Sequence, residues 1–98
     1  MKLSIIMPAY NEEKTIAKII KKVEEVDIGD IKKEIIVVND CSKDNTVNEV
    51  KKLMGKYKNI KLINHEKNGG KGTAIRTGLK NFTGDFVIIQ DGDLEYNP

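Results

Sequence analysis

Three acidic side chains lie close together near the end of the sequence, where Asp91, Asp93 and Glu95 follow an apolar run at 86–89. Carboxylates at this spacing repel one another unless a positive charge lies among them. Their oxygens suit Mg²⁺ or Mn²⁺, and an ion with few protein ligands keeps positions open for diphosphate oxygens. The Asp-Gly pair also favours a hairpin turn, so a metal site and a turn remain alternatives. A calcium loop of the D-x-D-x-D-G kind is excluded because Tyr96 stands where glycine is required.

Two further acidic residues have a binding and a structural interpretation. Asp40 follows an apolar run at 35–38, where it can accept hydrogen bonds from a nucleotide base. It can equally cap the next turn or helix, as Ser42 and Asp44 can. Glu12 has the same ambiguity between a ligand contact and a favourable charge at a helix start.

The stretch NGGKGTAIRTG places glycines and Lys71 at a predicted helix start, where free N–H groups favour anions. It is not a Walker phosphate loop, because Gly72 stands where serine or threonine should follow the lysine. It is not the dinucleotide fingerprint either, since that motif follows the first strand. A tight turn, with Gly78 for close helix packing, is the structural interpretation. His65, before this stretch, is predicted to be an ordinary strand-end residue, and Cys41 has no neighbouring base that would make it a nucleophile.

The elements that must position these residues alternate along the chain. Apolar runs at 3–7, 35–38, 60–63 and 86–89 predict four strands. Helical spacing predicts three intervening helices, the first capped by Asn11, the second by Asp44 and the third over 74–82, with Ile75, Gly78, Leu79 and Phe82 on one face. This alternation predicts an α/β fold, a three-layer Rossmann-like sheet of four parallel strands with helices on both faces. The expected strand order is third, second, first, fourth. Ligands bind at the carboxyl ends of such strands, so all the polar clusters should share one edge.

Composition narrows the function classes. The 98 residues suit one small domain, and a net charge of +2 with few aromatic residues argues against a nucleic-acid partner. Apolar stretches are only strand-length, and no signal peptide is recognisable. A single cysteine cannot form an internal disulfide and fits a reducing compartment, so we expect a cytoplasmic protein.

Taken together, the stretches IIMPAYNEE, IIVVNDCSKDNT, NGGKGTAIRTGL and GDFVIIQDGDLEYNP resemble the N-terminal half of family 2 glycosyltransferases of the GT-A fold. They are most similar to the dolichyl- or polyprenyl-phosphate sugar synthases. The resemblance implies a UDP- or GDP-linked sugar donor, Mg²⁺ or Mn²⁺, and inverting transfer to an acceptor such as a polyprenyl phosphate.

The resemblance also implies that residues 1–98 form the nucleotide-sugar-binding half of a longer domain, truncated after the D-x-D loop. We therefore expect the general base and the acceptor site to be absent, so that this chain alone is inactive. We expect it to self-associate, by pairing its fourth strand or by exchanging elements with a second copy. We expect the full-length protein to work in the cytoplasm or at the cytoplasmic face of a membrane.

By position, the resemblance assigns a nucleotide-sugar-binding set: Pro8, Tyr10, Glu12, Val38, Asp40, Lys71, Asp91 and Gly92. It assigns a metal-binding set: Asp91, Asp93 and Glu95. The sequence departs from the family pattern at Asn39, which replaces the first aspartate of D-D-G-S, and at Cys41, which replaces its glycine. The turn after the second strand must therefore accept a side chain.

Two other classes of protein share parts of this pattern. A non-catalytic α/β module such as a receiver needs an acidic pair after the first strand and an aspartate after the third. The chain instead has Tyr10, Asn11 and Glu12 after the first strand, and His65 and Glu66 after the third. The receiver pattern therefore fails. A nucleotidyltransferase has its glycine-rich signature after the first strand, where this chain has PAYNE. A non-catalytic α/β nucleotide-binding module and a nucleotidyltransferase remain alternatives to a glycosyltransferase.

Overall fold

The computed structural model describes residues 1–91, which form a single parallel sheet with helices on both faces. The elements in chain order are β1 (Lys2–Ala9), α1 (Ile16–Glu25), β2 (Lys32–Asn39), α2 (Thr46–Lys56), β3 (Ile60–Asn64), α3 (Lys71–Asn81) and β4 (Phe86–Ile89). The strand order is β3-β2-β1-β4, and every neighbouring pair is parallel. The predicted α/β class, strand order and layers are confirmed.

The central strands β1 and β2 are buried on both faces, as their continuous apolar runs predicted. Successive side chains of a strand point to opposite faces, so β2 supplies residues to a cluster on each face. The cluster under α1 and α2 includes Ile5, Met7, Ile35 and Val37. The opposite cluster, under α3, contains Ile36, Val38 and Ala74. The sheet is therefore a rigid base for the loops at its carboxyl edge.

The end of β1 extends further than predicted, through Pro8 to Ala9. The Ile6 carbonyl accepts a hydrogen bond from the Gln90 amide, and the Ala9 carbonyl accepts one from the Asp40 amide. Pro8 therefore faces the β4 side of the strand, beyond the point where pairing with β4 ends at Ile6 and Ile89. The proline's missing N–H costs no ladder bond there.

The first helix begins later than predicted, at Ile16, and Asn11 is not its N-cap. Asn11 has a φ of 51°, and its Oδ1 accepts a hydrogen bond from the amide of Lys43, 2.8 Å away. Its side chain thus joins the loop after β2 instead of its own helix. At the other end of α1, Lys33 Nζ donates to the carbonyl of Val23 at 2.8 Å, a favourable place for a cation.

The third helix approaches the sheet closely through Gly78, as predicted. A Cβ at Gly78 would lie 2.5 Å from Cγ2 of Ile6, so a larger residue would force the helix away from the sheet. The buried residues of α3 are Ala74 and Gly78, whereas Leu79, predicted on the packing face, is 45% exposed. The buried stripe is narrower than predicted because the glycine brings the helix backbone itself against the strand. Within residues 1–91, no helix has both the length and the apolar character needed to cross a bilayer.

Candidate functional site

A pocket of about 100 Å³ opens at the carboxyl edge of the sheet. Its lining comes from the ends of β1, β2 and β4 and from the start of α3, and consists of Pro8, Ala9, Tyr10, Glu12, Asp40, Lys71, Ala74 and Asp91. The predicted convergence of the polar clusters on one edge is confirmed for these residues. Ligand pockets usually measure about 300–1,000 Å³, so this one can hold part of a larger ligand.

The loop between β1 and α1 is held by the start of α2. The Glu12 amide donates to Thr46 Oγ1 at 2.8 Å, and the Glu13 amide donates to Asp44 Oδ2 at 3.3 Å. Asp44 Oδ1 also accepts from the Thr46 amide at 2.9 Å, so it binds the first residue of α2, although the N-cap position is Asn45 and not Asp44 as predicted. Burial raises the pKa of Asp44, but the bonds from Thr46 and Glu13 outweigh it and lower that pKa. These contacts fix the backbone on which Tyr10 and Glu12 enter the pocket.

The turn after β2 accommodates both departures from the family pattern. Cys41 has a φ of 63°, in the left-handed region that favours the glycine it replaces. Asn39 Oδ1 accepts from the Ser42 amide at 3.1 Å, while its Nδ2 donates to Asn64 Oδ1 at 2.9 Å. An aspartate has no such donor and could bond Asn64 only as an acceptor.

Asp40 is buried and binds the glycine-rich loop ahead of α3. Its Oδ1 accepts from the Gly69 amide at 2.9 Å and its Oδ2 from the Gly70 amide at 2.7 Å. Burial raises the pKa of Asp40, but the bonds from Gly69, His65 and Gly70 outweigh it and hold that pKa below its ordinary value. Asp40 is therefore an ionised carboxylate that both lines the pocket and anchors the start of α3.

His65 has a role at this edge that the sequence did not reveal. Its Nδ1 lies 2.9 Å from Asp40 Oδ1, and its Nε2 lies 2.7 Å from Thr77 Oγ1 on α3. The prediction of an ordinary strand-end residue is wrong. Asp40 is separated from His65 by 25 positions, so no local spacing signalled the contact.

Lys71 and Asp91 form an ion pair inside the pocket. Lys71 Nζ lies 2.6 Å from Asp91 Oδ1, with the two side chains 52% and 27% exposed. A positive group therefore lies beside Asp91. Within residues 1–91, no three histidine, cysteine, aspartate or glutamate side chains are grouped to bind a metal ion. Gly92, Asp93 and Glu95 lie outside the described residues, so their predicted roles remain predictions.

The structure brings most of the predicted binding set together. Six of its members line the pocket: Pro8, Tyr10, Glu12, Asp40, Lys71 and Asp91. Val38 is not among the lining residues, because its side chain is fully buried under α3. Its contact with a base remains a prediction. Ala9 and Ala74 line the pocket without having been predicted, since small apolar side chains carry no chemical signal.

Comparison with known proteins gives a family match over nearly the whole chain. The sequence profile described as "Glycosyl transferase family 2" matches residues 4–98. A dolichyl-phosphate beta-glucosyltransferase of Trichomonas vaginalis is 41% identical over 98 residues, which cover 93% of this chain and 30% of that protein. The chain thus spans less than a third of the length of this relative.

Two solved structures share the fold of this chain. S. aureus TarS 1–349 in complex with UDP superimposes with a TM-score of 0.86 at 38% identity, over 95% of this chain and 28% of that one. The mannosyltransferase PcManGT from Pyrobaculum calidifontis, in complex with GDP-Man and Mn²⁺, also superimposes with a TM-score of 0.86. Its identity is 30%, over 93% of this chain and 27% of that one.

Proposed function

Because this chain belongs to glycosyl transferase family 2, we propose that it forms the donor-binding part of an enzyme that transfers a sugar from a nucleoside-diphosphate sugar. The observation that carries the proposal is the pocket itself. It gathers an exposed aromatic ring, a buried carboxylate, a lysine and an acidic residue from separate loops at the edge where α/β sheets bind ligands. The UDP and GDP-Man complexes of similar structures support a nucleotide sugar as the occupant.

In this proposal the nucleoside end contacts Tyr10, Glu12 and Asp40. The Tyr10 side chain is 44% exposed at the pocket, so its ring is available for contact with a base or ribose. Asp40 Oδ2 accepts one bond, from Gly70, whereas a carboxylate oxygen can accept two. The free acceptor position can take an N–H of the base.

The diphosphate end contacts the start of α3. Lys71 is the first residue of that helix, and its ammonium group lies in the pocket with the helix N-terminus behind it. Both favour an anion. Because Lys71 already pairs with Asp91, a bound diphosphate would draw the lysine toward its own oxygens and leave Asp91 in need of another cation.

That cation is proposed to be Mg²⁺ or Mn²⁺, held by Asp91, Asp93 and Glu95. The ion pair with Lys71 supports the fit, because it places a carboxylate that attracts positive charge inside the pocket. Hard carboxylate oxygens are the ligands that both ions prefer. When bound, such an ion stabilises the negative charge that develops on a leaving diphosphate. The Mn²⁺ in the PcManGT complex supports a divalent metal as the partner of the nucleotide sugar.

The acceptor is proposed to be a lipid phosphate, on the strength of the similarity to a dolichyl-phosphate beta-glucosyltransferase. We propose that the whole enzyme works in the cytoplasm, at the cytoplasmic face of a membrane. The residues that bind the acceptor and the general base are proposed to lie in the part of the enzyme that this chain does not span.

Calorimetry tests the donor proposal directly. UDP and GDP are titrated into the chain with and without Mn²⁺, and then into Asp91→Asn and the control Asp30→Asn, which changes an exposed carboxylate. We expect Mn²⁺ to strengthen the binding of one nucleotide, Asp91→Asn to remove that gain, and Asp30→Asn to retain it. Equal affinity with and without metal would contradict the metal assignment, and no binding of either nucleotide would contradict the donor site.

A further inference from the structure

We propose that His65 is a positioning residue for the pocket: it holds Asp40, and through Asp40 the glycine loop at 69–70, against helix α3. Its ring bridges two elements, with Nδ1 2.9 Å from Asp40 Oδ1 and Nε2 2.7 Å from Thr77 Oγ1. The ring is largely enclosed, since the side chain is 15% exposed and that of Asp40 is 5% exposed. Both nitrogens of the ring are therefore in use within the fold.

The direction of the first bond follows from the chemistry of its partner. Asp40 is ionised, and a carboxylate has only acceptor positions, so Nδ1 must carry the proton and donate it. This sets the tautomer of the neutral ring. Thr77 Oγ1 can then donate to Nε2, or accept from Nε2 when the ring is charged while donating to the Thr73 carbonyl at 3.1 Å. The bridge survives in either charge state of the ring.

The contact with His65 affects the pocket because Asp40 is one of the residues that line it. Asp40 accepts from Gly69 and Gly70, and Gly70, with a φ of 88°, immediately precedes Lys71 at the start of α3. The orientation of the carboxylate thus sets where the loop ends and where Lys71 enters the pocket. Without the His65 bond, Asp40 can rotate and release both amides together. His65 reaches the ligand only through these groups, so it acts by positioning.

Amide hydrogen exchange measures, without any ligand, how strongly Asp40 binds the amides of Gly69 and Gly70. We expect His65→Ala to speed exchange at Gly69 and Gly70 by about tenfold, the equivalent of one lost hydrogen bond. The amide of Gly84, which donates to Ser4 Oγ at the opposite end of the sheet, is the internal control and should not change. Unchanged exchange at Gly69 and Gly70 would overturn the proposal.

Two conservative variants distinguish the Asp40 bond from general packing. The amide nitrogen of an asparagine can lie near the position of Nδ1, whereas that of a glutamine reaches the position of Nε2. His65→Asn should therefore restore slow exchange at Gly69 and Gly70, and His65→Gln should not. Equal protection in both variants, or equal loss in both, would contradict a role through Asp40.

The consequence for binding rests on the proposed function and is measured separately, by calorimetry with UDP and GDP in the presence of Mn²⁺. His65→Ala and His65→Gln should weaken binding by about tenfold, and His65→Asn should restore it. Wild-type affinity in His65→Ala would refute the positioning role. If the wild-type chain binds neither nucleotide, the donor site fails, while the exchange data still decide whether His65 holds the loop.

Discussion

Two buried carboxylates lie at opposite ends of β2, and both hold segments next to α3. Glu34, near the start of the strand, accepts from the Thr83 amide just after the helix, at 2.9 Å. Asp40, directly after the strand, accepts from Gly69 and Gly70 just before the helix. Glu34 and Asp40 are each 3% exposed. One strand thus clamps both ends of one helix with the same kind of group.

The two carboxylates differ in how many of their hydrogen-bond acceptor positions remain free. Glu34 receives four bonds, from Ser4 Oγ at 2.7 Å, Lys61 Nζ at 2.6 Å, and the amide and hydroxyl of Thr83. That fills its acceptor positions, and Glu34 is not among the residues that line the pocket. Asp40 receives three bonds and borders the pocket. A buried acid is therefore not by itself a functional sign, whereas a buried acid with a free acceptor position facing a pocket is.

Removing the Glu34 carboxylate, whose acceptor positions are all filled, should cost the most stability. In Glu34→Ala the Thr83 amide and the Ser4 hydroxyl lose their partner inside the fold, so we expect the free energy of unfolding to fall by about 3 kcal/mol. Urea denaturation measures the loss, and Glu25→Ala, at an exposed position, is the control. Affinity for UDP or GDP should stay within about twofold, because the pocket lies at the other end of the sheet. A stability loss below that of an exposed carboxylate would contradict the clamp.

Acid should weaken the same clamp over a defined range. Burial raises the pKa of Glu34, but the bonds from Lys61, Thr83 and Ser4 outweigh it and lower the pKa from 4.5 to about 2. A lowered folded-state pKa gives stability that is present above pH 4.5 and is lost as the pH falls toward 2. The Glu34 share of this loss is about 3 kcal/mol.

Urea midpoints measured between neutral pH and pH 2 in wild type and Glu34→Gln check this prediction. The variant should start less stable and lose less on acidification. Asp40 and Asp44 also have lowered pKa values, so the variant should retain some acid sensitivity. Parallel curves for the two proteins would show that Glu34 does not titrate in this range.

Loss of Asp40, which keeps a free acceptor position at the pocket, should affect nucleotide binding more than loss of its neighbour Asp44. Asp40→Ala should weaken nucleotide binding even without metal, because it removes a pocket acceptor and releases Gly69 and Gly70. Asp44 does not line the pocket. Asp44→Ala should therefore mainly lower the free energy of unfolding by about 1 kcal/mol, because the amide at the start of α2 loses its acceptor. Calorimetry and urea denaturation of both variants separate the two effects. The reverse pattern would mean that Asp44 is the ligand acid and Asp40 the structural one.

Glu34 and Asp40 also differ in whether the sequence identifies them as candidate functional residues. The strands, their order and the shared edge were predictable, because continuous apolar runs alternating with helical spacing permit few topologies. Asp40 was singled out by its position after a strand, whereas Glu34 lies inside one and was overlooked. The contacts of His65 and Asn11 were not predictable, since each joins segments that are distant in sequence. Hydrogen-bond partners are chosen among groups that only the folded chain brings together.

The last expected effect concerns β4, which begins just after the segment bound by Glu34 and forms one edge of the described sheet. Its side chains Phe86, Ile88 and Ile89 are 52%, 48% and 42% exposed. An apolar edge with unpaired backbone groups favours pairing with another chain. The Gly84 amide, bonded to Ser4 Oγ at 2.9 Å, ties the start of the strand to its own sheet. We therefore expect two copies to pair edge to edge without exchanging β4.

Sedimentation across a dilution series should show a reversible dimer. Ile88→Lys should raise its dissociation constant by about tenfold, the equivalent of one aliphatic side chain left in water. Ile31→Lys, at a 37% exposed isoleucine away from β4, is the matched control and should leave the constant unchanged. Glu34→Ala should add slow exchange of β4 between copies, since the clamp that ties α3 to the sheet just ahead of this strand is then lost. A compact monomer at the highest concentrations, in wild type and in Glu34→Ala, would mean that β4 does not present a pairing edge.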